Sequence, residues 1–461
     1  MNVPRDAAIA ATGAHVVHGE RLPEAFAVAT DTRTLQPGDV FVALRGERFD
    51  GAAFVAEALA RGALAVLVDR LAALPDNVPA LVVDDVRAAY LALGGEARRL
   101  ARARVVGITG SAGKTTTKEF VAQLFGAERG LRVLATPANE NNEIGVAKFL
   151  LSLTPETDIA VVELGARHFG EIEPLARAAR PDVAVLTNLG DAHLEIMGSP
   201  ERLDATKWGI FASGAQAVLN ARDPRQRARA AGLTRTPQAF AATDAATPLE
   251  PFGTRTTVLC GRDALVLLEG GRSQTLPVRC EVAGEHNRAN VAAAAAAVLA
   301  FGGDGVAVAA GIGELRLPSG RYERRTIGDL ELIYDAYNAS MSGALATLDA
   351  FARERSPRRI AVLGSMAELG DNAPAMHERV GVAAAHAGLA ALLVGGDFAA
   401  DLARGARAGG LPGERVVRFD ANAEAARWLR ANARPGDLVL LKGSRRYRLE
   451  EIAEELAAHA R

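Results

Sequence analysis

Apolar and polar positions alternate along the middle of the chain in a regular order. From Val105 onward, short apolar runs are separated by longer stretches with apolar residues at helical spacing. The apolar runs are "VVGIT", "RVLAT", "IAVVEL", "VAVLTN" and "AVLN". Because continuous apolar runs are typical of strands buried on both faces, this alternation predicts a mostly parallel sheet covered by helices.

The same pattern occurs on both sides of this middle region. The first hundred residues contain strand-like "DVFVAL" and "ALAVLV" with helical "AAFVAEALARG" between them, followed by a basic helical stretch, "EARRLARAR". After "LPSGRYERR", the runs "ELIYDAY", "RIAVLG", "ALLVGG" and "DLVLLKGS" indicate a second doubly wound unit. Residues 222–281 are less regular and are predicted to hold β hairpins.

The length supports three α/β domains. The chain has 461 residues, and a domain of about 150 residues is usual. We therefore predict domains at 1–104, 105–317 and 318–461. The middle one is predicted to be a P-loop ATPase-type domain, because of the motif described below.

Composition excludes several classes of protein. Hydrophobic residues make up 49%, charged residues 23%, and the net charge is -2, which gives no reason to expect nucleic acid or a membrane surface as partner. The only cysteines, Cys260 and Cys280, form no C-x-x-C pair, which argues against a disulfide framework or a zinc cluster. The N-terminus lacks a signal-peptide core, and the longest apolar run, "VAAAAAAVLAF", is shorter than the roughly 18 residues of a membrane span. We expect a cytoplasmic enzyme.

The stretch "VVGITGSAGKTTTKEF" carries the strongest chemical signal. A strand, a Gly-Ser turn and a helix in this order direct backbone N–H groups and the positive end of the helix at a phosphate. The first glycine of the long Walker pattern is replaced by Ile108, so the match is to a shorter G-x-x-G-K-T form. The predicted nucleotide-binding residues are Gly110, Ser111, Ala112, Gly113, Lys114, Thr115 and Thr116. The alternative is a turn with a solvated lysine, and the motif alone does not separate a GTPase from a kinase or a ligase.

Polar residues follow two of the predicted strands. Glu163 ends one apolar run, and Asn188, Asp191 and His193 lie just beyond another. A carboxylate at this edge suits Mg²⁺, which prefers oxygen ligands. Glu163 in an ion pair and His193 in a structural role are the alternatives.

Two further features lie near the second domain boundary. Asn287 and Asn290 are three residues apart and so share one face at the start of a helix, where they either contact a nucleotide or cap the helix. Arg321 follows a Pro-Ser-Gly turn and is either a phosphate ligand across a cleft or a solvated linker residue.

Nine motifs, in order along nearly the whole chain, resemble those of the Mur ligases of peptidoglycan synthesis. They are "TGSAGKTTTKE", "NENNEIGV", "ELGARHFGEI", "TNLGDAHLEIMGS", "GEHNRAN", "GRYE", "YDAYNAS", "VLGSMAELG" and "LLKGSR". Within the family they most resemble the member that adds D-alanyl-D-alanine to UDP-N-acetylmuramoyl-tripeptide. The D-N-P-R motif of the member that adds diaminopimelate or lysine does not occur.

The resemblance implies a UDP-substrate domain, a central ATP-binding domain, and a C-terminal Rossmann-like domain for the dipeptide. It implies ATP and Mg²⁺ as cofactors, an acyl-phosphate intermediate, and no nucleic acid or membrane partner. A monomer is expected.

The resemblance also assigns roles to residues. For phosphate, ATP and metal it implies Lys114, Thr115, Glu163, His193, Asn287, Asn290, Arg321, Asp335 and Lys207, the last as a carbamylated lysine. For the UDP-substrate it implies Asp31, Thr32 and Arg33. For the dipeptide side it implies Tyr337, Asn338, Glu368 and His377, with the terminal turn Lys442, Gly443 and Ser444.

Several positions depart from the family pattern. The loop after Tyr337 reads "YNASMSGAL", shortened and without the usual Asn-Pro. Ser365 replaces an aspartate, Gly209 a glutamate, and Ala147 a proline. The loop near Tyr337 leaves open a Mur-type ligase that adds a different amino acid or peptide to a different carboxylate. A nucleotide-binding regulatory protein that uses the phosphate loop as a switch is a second alternative. The third residue of the tripeptide, lysine or diaminopimelate, is left open.

Overall fold

The computed structural model describes residues 1–46, 49–69, 74, 77–127, 130–190, 194–243, 249 and 252–459. Within these ranges four sheets form three successive α/β units, as the alternation of apolar runs predicts. No helix in these ranges is long and apolar enough to cross a membrane.

The N-terminal unit is a five-stranded sheet with a short two-stranded one beside it. Its strand order is β2-β7-β6-β5-β4, parallel except for β2, while β1 pairs with β3. The elements are β1 (Val3–Pro4), α1 (Arg5–Thr12), β2 (His15–Val17), β3 (Ala25–Phe26), β4 (Val28–Ala29), β5 (Val40–Val42), α2 (Val55–Ala60), β6 (Ala65–Val68), β7 (Ala80–Val82) and α3 (Val86–Leu100).

Helix α3 connects this unit to the next one. Asp85 caps its start, because the carboxylate accepts hydrogen bonds from the N–H groups of Arg87 and Ala88. The predicted basic helical stretch ends sooner than expected, since Ala101 is already extended (φ -72°, ψ 140°) and the next strand begins at Arg104.

The central unit is a nine-stranded sheet with the order β16-β15-β14-β13-β12-β11-β8-β10-β9. Strands β8 to β14 are parallel, and β14, β15 and β16 form two antiparallel hairpins. The elements are β8 (Arg104–Thr109), α4 (Lys114–Gly126), β9 (Val133–Ala135), α5 (Glu143–Leu151), β10 (Ile159–Glu163), α6 (Ile172–Ala179), β11 (Val183–Leu186), α7 (Leu194–Met197), α8 (Pro200–Trp208), β12 (Gln216–Asn220), α9 (Pro224–Ala230), β13 (Gln238–Ala242), β14 (Thr256–Cys260), β15 (Ala264–Glu269), β16 (Arg272–Pro277), α10 (Glu285–Ala300) and α11 (Gly305–Ile312). The hairpins predicted for the irregular segment are confirmed.

One hydrophobic core runs across the junction of the first two units. Helix α3 packs on α5 and α6, and apolar side chains of both units form a single buried cluster. The approach is close at Gly94, where a Cβ would lie 2.9 Å from the Cα of Ala147. Ala147 occupies a position where the family commonly has proline.

The C-terminal unit is a six-stranded sheet with helices on both faces. Its strand order is β17-β18-β22-β19-β20-β21, parallel except for β17. The elements are β17 (Glu323–Ile327), β18 (Leu330–Asp335), α12 (Met341–Ala352), β19 (Arg359–Gly364), α13 (Ala373–Ala385), β20 (Leu389–Gly395), α14 (Ala399–Ala408), β21 (Val416–Phe419), α15 (Asn422–Asn432), β22 (Leu438–Lys442) and α16 (Glu450–Ala458). Two separate buried clusters fill the two faces of this sheet.

Candidate active site

The phosphate loop lies between the end of β8 and the start of α4, and its glycines are required by space and by backbone conformation. Gly110 and Gly113 have φ of 151° and 79°, values at which a residue with a Cβ atom is strained. A Cβ on Gly110 would lie 1.9 Å from Thr187 Oγ1, and one on Gly113 would lie 2.4 Å from Asn290 Oδ1. The turn therefore brings its backbone against neighbouring elements with no room for a side chain.

Residues after β11 hold the loop in place. Asn188 accepts a hydrogen bond from the N–H of Ala112 (2.9 Å) and donates one to its carbonyl (3.0 Å). The hydroxyl of Thr187 donates to the same carbonyl (2.6 Å), and the N–H of Gly190 donates to Ser111 Oγ (2.9 Å). The N–H groups at the start of α4 and the helix dipole then face a fixed loop, which suits an anionic ligand.

Lys114 is the first residue of α4 and bends back over the loop. Its ammonium donates to the carbonyl of Gly110 (2.9 Å). Loss of solvation lowers the pKa of Lys114, Glu163 counteracts this shift, and Arg321 adds to it. Lys114 is therefore part of a cluster of charges and not a solvated loop lysine.

Glu163, at the end of β10, is a buried carboxylate with one oxygen in use. Its Oε1 accepts from Asn141 Nδ2 at 2.7 Å, and its Oε2 has no hydrogen-bond partner among the described residues. A buried carboxylate oxygen without a partner is costly unless a cation binds it. The oxygen and the hydroxyl of Thr115 suit Mg²⁺, a hard cation.

Asn141 is a site residue to which the sequence analysis gave no role. It lies in the quoted "NENNEIGV" motif, and it holds Glu163 through its side chain and the N–H of Gly165 through its carbonyl (2.8 Å). Its approach to Gly165 leaves no room for a Cβ, which would lie 2.5 Å from the Asn141 side chain. The sequence shows the motif, but it does not show that Asn141 contacts Glu163.

Lys207 is in the last turn of α8, which Ser199 caps, and its side chain is buried. Burial, together with the positive charge of Lys114, lowers the pKa of Lys207 to about 7, while Asp204 opposes this shift. An amine with this pKa has a substantial neutral fraction at neutral pH. Lys207 is therefore a buried lysine and not a solvated one.

His193 and Asp191 lie outside the described residues. Gly209, where the family usually has glutamate, lies against α6, since a Cβ there would be 3.1 Å from the backbone nitrogen of Glu173. The position at which the family's glutamate is replaced by Gly209 is therefore also a closely packed one.

Asn287 and Asn290 lie at the start of α10, next to the phosphate loop. Asn290 accepts from Thr117 Oγ1 (3.3 Å) and donates to Asn287 Oδ1 (3.4 Å), while Asn287 donates to the carbonyl of Ala283 (3.0 Å). Neither side chain caps the helix, because Gly284 is the N-cap residue. A different face of α10, with Glu285, His286 and Ala289, lines a cavity of about 320 Å³, whose other lining residues are Asn220, Arg222, Ala241, Ala242, Ala346 and Asp349.

Arg321 reaches from the C-terminal unit into the central one. Its Nη2 donates to Thr115 Oγ1 (2.9 Å), and its guanidinium stacks on the ring of Tyr337 (4.5 Å). Arg445 stacks on the same ring at 5.4 Å. This geometry favours a role at the phosphate site over a solvated linker residue.

Asp335 is held inside the C-terminal unit. Its Oδ2 accepts from Thr347 Oγ1 (2.5 Å) and pairs with Lys442 Nζ (3.2 Å), and its Oδ1 accepts from the N–H of Tyr322 (3.2 Å). Lys442 also donates to the carbonyl of Asn338 (2.8 Å). These bonds fix the backbone next to Arg321, before β17, and next to Tyr337, after β18. Asp335 therefore positions both segments.

The four residues predicted for the dipeptide differ in exposure. Asn338 and Glu368 are exposed, and the hydroxyl of Tyr337 is buried without a partner in the described part of the chain. His377 requires a correction, because its ring is buried and both nitrogens bind backbone: Nε2 accepts from the N–H of Met366 (2.8 Å) and Nδ1 contacts the carbonyl of Ala373 (2.6 Å). This ring stabilises the turn at Ser365 and does not face a ligand.

The predicted UDP-substrate loop follows β4 in the N-terminal unit. Arg33 and Asp31 form an exposed ion pair (Nη2 to Oδ2, 2.6 Å) that lowers the pKa of Asp31 to about 2. Thr32 donates to Glu57 Oε1 at 3.1 Å. The loop is therefore ordered by its own side chains.

Three family models match consecutive parts of the chain. They are the Mur ligase family, catalytic domain at residues 26–108, the Mur ligase middle domain at 108–298, and the Mur ligase, glutamate ligase domain at 320–445.

Curated relatives match almost the full length. UDP-N-acetylmuramoyl-tripeptide–D-alanyl-D-alanine ligase from Synechocystis sp. is 37% identical over 437 residues, covering 94% of this chain and 92% of its own. The Escherichia coli protein of the same name is 36% identical, covering 93% of each chain.

Solved structures give the same result for the fold. A crystal structure of MurF from Acinetobacter baumannii has a TM-score of 0.85 at 28% identity and covers 99% of both chains. MurF from Thermotoga maritima, in complex with ADP, has a TM-score of 0.79 at 28% identity, covering 94% of this chain and 98% of its own.

Proposed function

The chain belongs to the Mur ligase family, and we propose that it joins D-alanyl-D-alanine to UDP-N-acetylmuramoyl-tripeptide, with ATP as the energy source. The observation that carries the proposal is the meeting of Lys114, Glu163 and Arg321 at one phosphate loop, combined with relatives of that activity along the whole chain. The enzyme is an ATP-dependent ligase that forms an amide bond.

The reaction needs an activated carboxylate. The tripeptide carboxylate attacks the γ-phosphorus of ATP, ADP leaves, and an acyl phosphate forms. The amine of D-alanyl-D-alanine then attacks the acyl carbon and loses a proton, and inorganic phosphate leaves. The protein has to neutralise and orient the transferring phosphoryl group, which is the main task in phosphoryl transfer.

The chain has residues for each part of this task. Lys114 supplies positive charge at the loop, and Arg321 adds charge from the C-terminal unit. Because Arg321 now bonds to the hydroxyl of Thr115, we infer that it moves to the phosphate when the nucleotide binds. The 320 Å³ cavity at the start of α10 is our candidate for the nucleoside, with Asn287 and Asn290 between α10 and the phosphate loop.

Glu163, Thr115, His193 and a carbamylated Lys207 are the residues we propose as holding Mg²⁺. The bound ion would neutralise charge on the phosphates. The partnerless oxygen of Glu163 and the depressed pKa of Lys207 support the set. Carbamylation replaces an amine with a carboxylate-like group, so a residue that would repel the metal becomes a ligand.

Other parts of the proposal concern the substrates. Asp31, Thr32 and Arg33 are proposed to contact the UDP portion, and Tyr337, Asn338 and Glu368 the dipeptide side. A cytoplasmic location and a monomeric state stay predictions.

Phosphate release tests the function. We expect release only when ATP, UDP-N-acetylmuramoyl-tripeptide and D-alanyl-D-alanine are all present, and we expect little release with single amino acids as the amine. Lysine- and diaminopimelate-containing tripeptides should be compared in the same assay. A preference for another amine would favour the alternative Mur-type ligase, with the shortened loop after Tyr337 as its cause.

A further inference from the structure

A second large cavity lies at the opposite edge of the central sheet from the phosphate loop. It has a volume of about 690 Å³ and is lined by Arg104, Val183, Gln216 and Gln238. These are the first residues of β8, β11, β12 and β13, which are parallel neighbours in the sheet. The phosphate loop follows the other end of β8, about 20 Å away at roughly 3.3 Å per residue.

The lining is strongly basic. It includes one acidic residue, Asp182, and six arginines: Arg98, Arg99, Arg104, Arg180, Arg235 and Arg255. The chain as a whole has a net charge of -2. Concentration of one sign of charge in a concave surface focuses the electrostatic potential and attracts anions.

Half of these arginines have no carboxylate partner among the described residues. Arg98 faces Asp182 at 3.4 Å, Arg99 pairs with Glu96 at 2.8 Å, and Arg255 pairs with Glu269 at 3.9 Å. In the described part of the chain Arg104, Arg180 and Arg235 form no ion pair, and the exposed side chains of Arg180 and Arg235 also make no hydrogen bond. Asp182 additionally accepts from the N–H of Val105 at 2.7 Å, so positive charge remains in excess along the lining.

We propose that this cavity is a second anion site that binds a small multivalent phosphate compound. Guanidinium groups bind phosphate in a bidentate manner, and the volume is within the usual range for small-molecule sites. A flat membrane surface fits less well, because the arginines line a concave space. The site is separate from the ligase reaction and does not depend on the function proposed above.

The test is calorimetric titration of the full chain with inorganic tripolyphosphate. The parent is compared with Lys114→Ala, in which the phosphate loop has lost its lysine, so that binding at the two sites can be distinguished. We expect one binding event per chain that Lys114→Ala leaves unchanged and that salt weakens. The double substitution Arg180→Ser and Arg235→Ser, made in the Lys114→Ala chain, should weaken this event about 100-fold, since a hydrogen bond to a charged group contributes about tenfold.

The matched control is the double substitution Arg407→Ser and Arg427→Ser, because these arginines are exposed on α14 and α15 of the C-terminal unit. It should leave the titration unchanged, and both double variants should melt at the temperature of the parent. The absence of a binding event in the Lys114→Ala variant would overturn the proposal, as would an equal loss in the control. Binding to phosphatidylglycerol vesicles that depends on Arg180 and Arg235, without tripolyphosphate binding, would indicate a membrane surface instead.

Discussion

Replacement of Lys207 by alanine tests the least conventional part of the proposed metal site. Carbamylation requires the neutral amine, and the buried lysine has a pKa of about 7 against an ordinary value of 10.5. At neutral pH the neutral fraction therefore exceeds that of an exposed lysine by on the order of 10³-fold. Burial beside Lys114 thus prepares this lysine for reaction with carbon dioxide.

We expect Lys207→Ala to lower kcat by about 10²-fold or more, the loss typical of a group that stabilises charge in the transition state. The assay is phosphate release at saturating ATP and both substrates. Formate or acetate should partly restore the alanine variant by occupying the space of the carbamate. Lys207→Arg should not be restored, because its charge repels the metal and its side chain fills the space.

The pH dependence has a definite sign. The folded protein protonates Lys207 only as the pH falls through about 7, so carbamate and activity should decrease below that value, more steeply when carbon dioxide is depleted. The unfolded chain keeps this proton up to about 10.5, so this residue's contribution to the free energy of unfolding increases between pH 7 and 10.5.

Near-normal kcat in a folded Lys207→Ala variant would refute this reasoning. So would equal restoration of the alanine and arginine variants by formate, because that result would show a general salt effect. A melting curve for each variant separates loss of chemistry from loss of fold.

Four further results are expected. Lys114→Ala should lower kcat by about 10²-fold or more at an unchanged melting temperature, because its role is charge at the phosphate; near-normal turnover would contradict this. Gly113→Ala, whose Cβ would lie 2.4 Å from Asn290 Oδ1, should weaken ADP binding at least about tenfold by calorimetry, and unchanged affinity would mean that the loop adapts. Arg321→Gln should reduce kcat while the KM for the UDP-substrate stays constant, and a selective rise in that KM would assign Arg321 to the other substrate. Asp31→Asn should raise the KM for the UDP-substrate without changing ADP affinity, whereas a loss of ADP affinity would remove this loop from the proposed UDP contact.

The sequence was sufficient where the determining interactions are local. The alternation of apolar runs predicts the three α/β units, and the glycine spacing with strand and helix predicts the phosphate loop. The sequence was insufficient for side-chain contacts between residues that are far apart along the chain. Asn141 contacts Glu163 across 22 positions, and the pairing of Asp335 with Lys442 spans more than a hundred.

His377 illustrates the same limit from the other side. The resemblance to the Mur ligases implied a residue on the dipeptide side, but the packing of α13 buries the ring against Phe398 (4.6 Å between ring centroids) and both nitrogens bind backbone. Whether a histidine faces a cleft or a core depends on helix rotation. A motif without three-dimensional context does not contain that information.

The shared core of the first two units affects how the protein is divided by engineering. A chimera that exchanges residues 1–104 would separate α3 from α5 and α6 and place a foreign helix against Ala147, where Gly94 allows no added atom. An exchange that stops before Asp85 keeps this helix pair from one parent. Grafting of a different nucleotide-sugar specificity should therefore succeed with the shorter segment and give an insoluble product with the longer one.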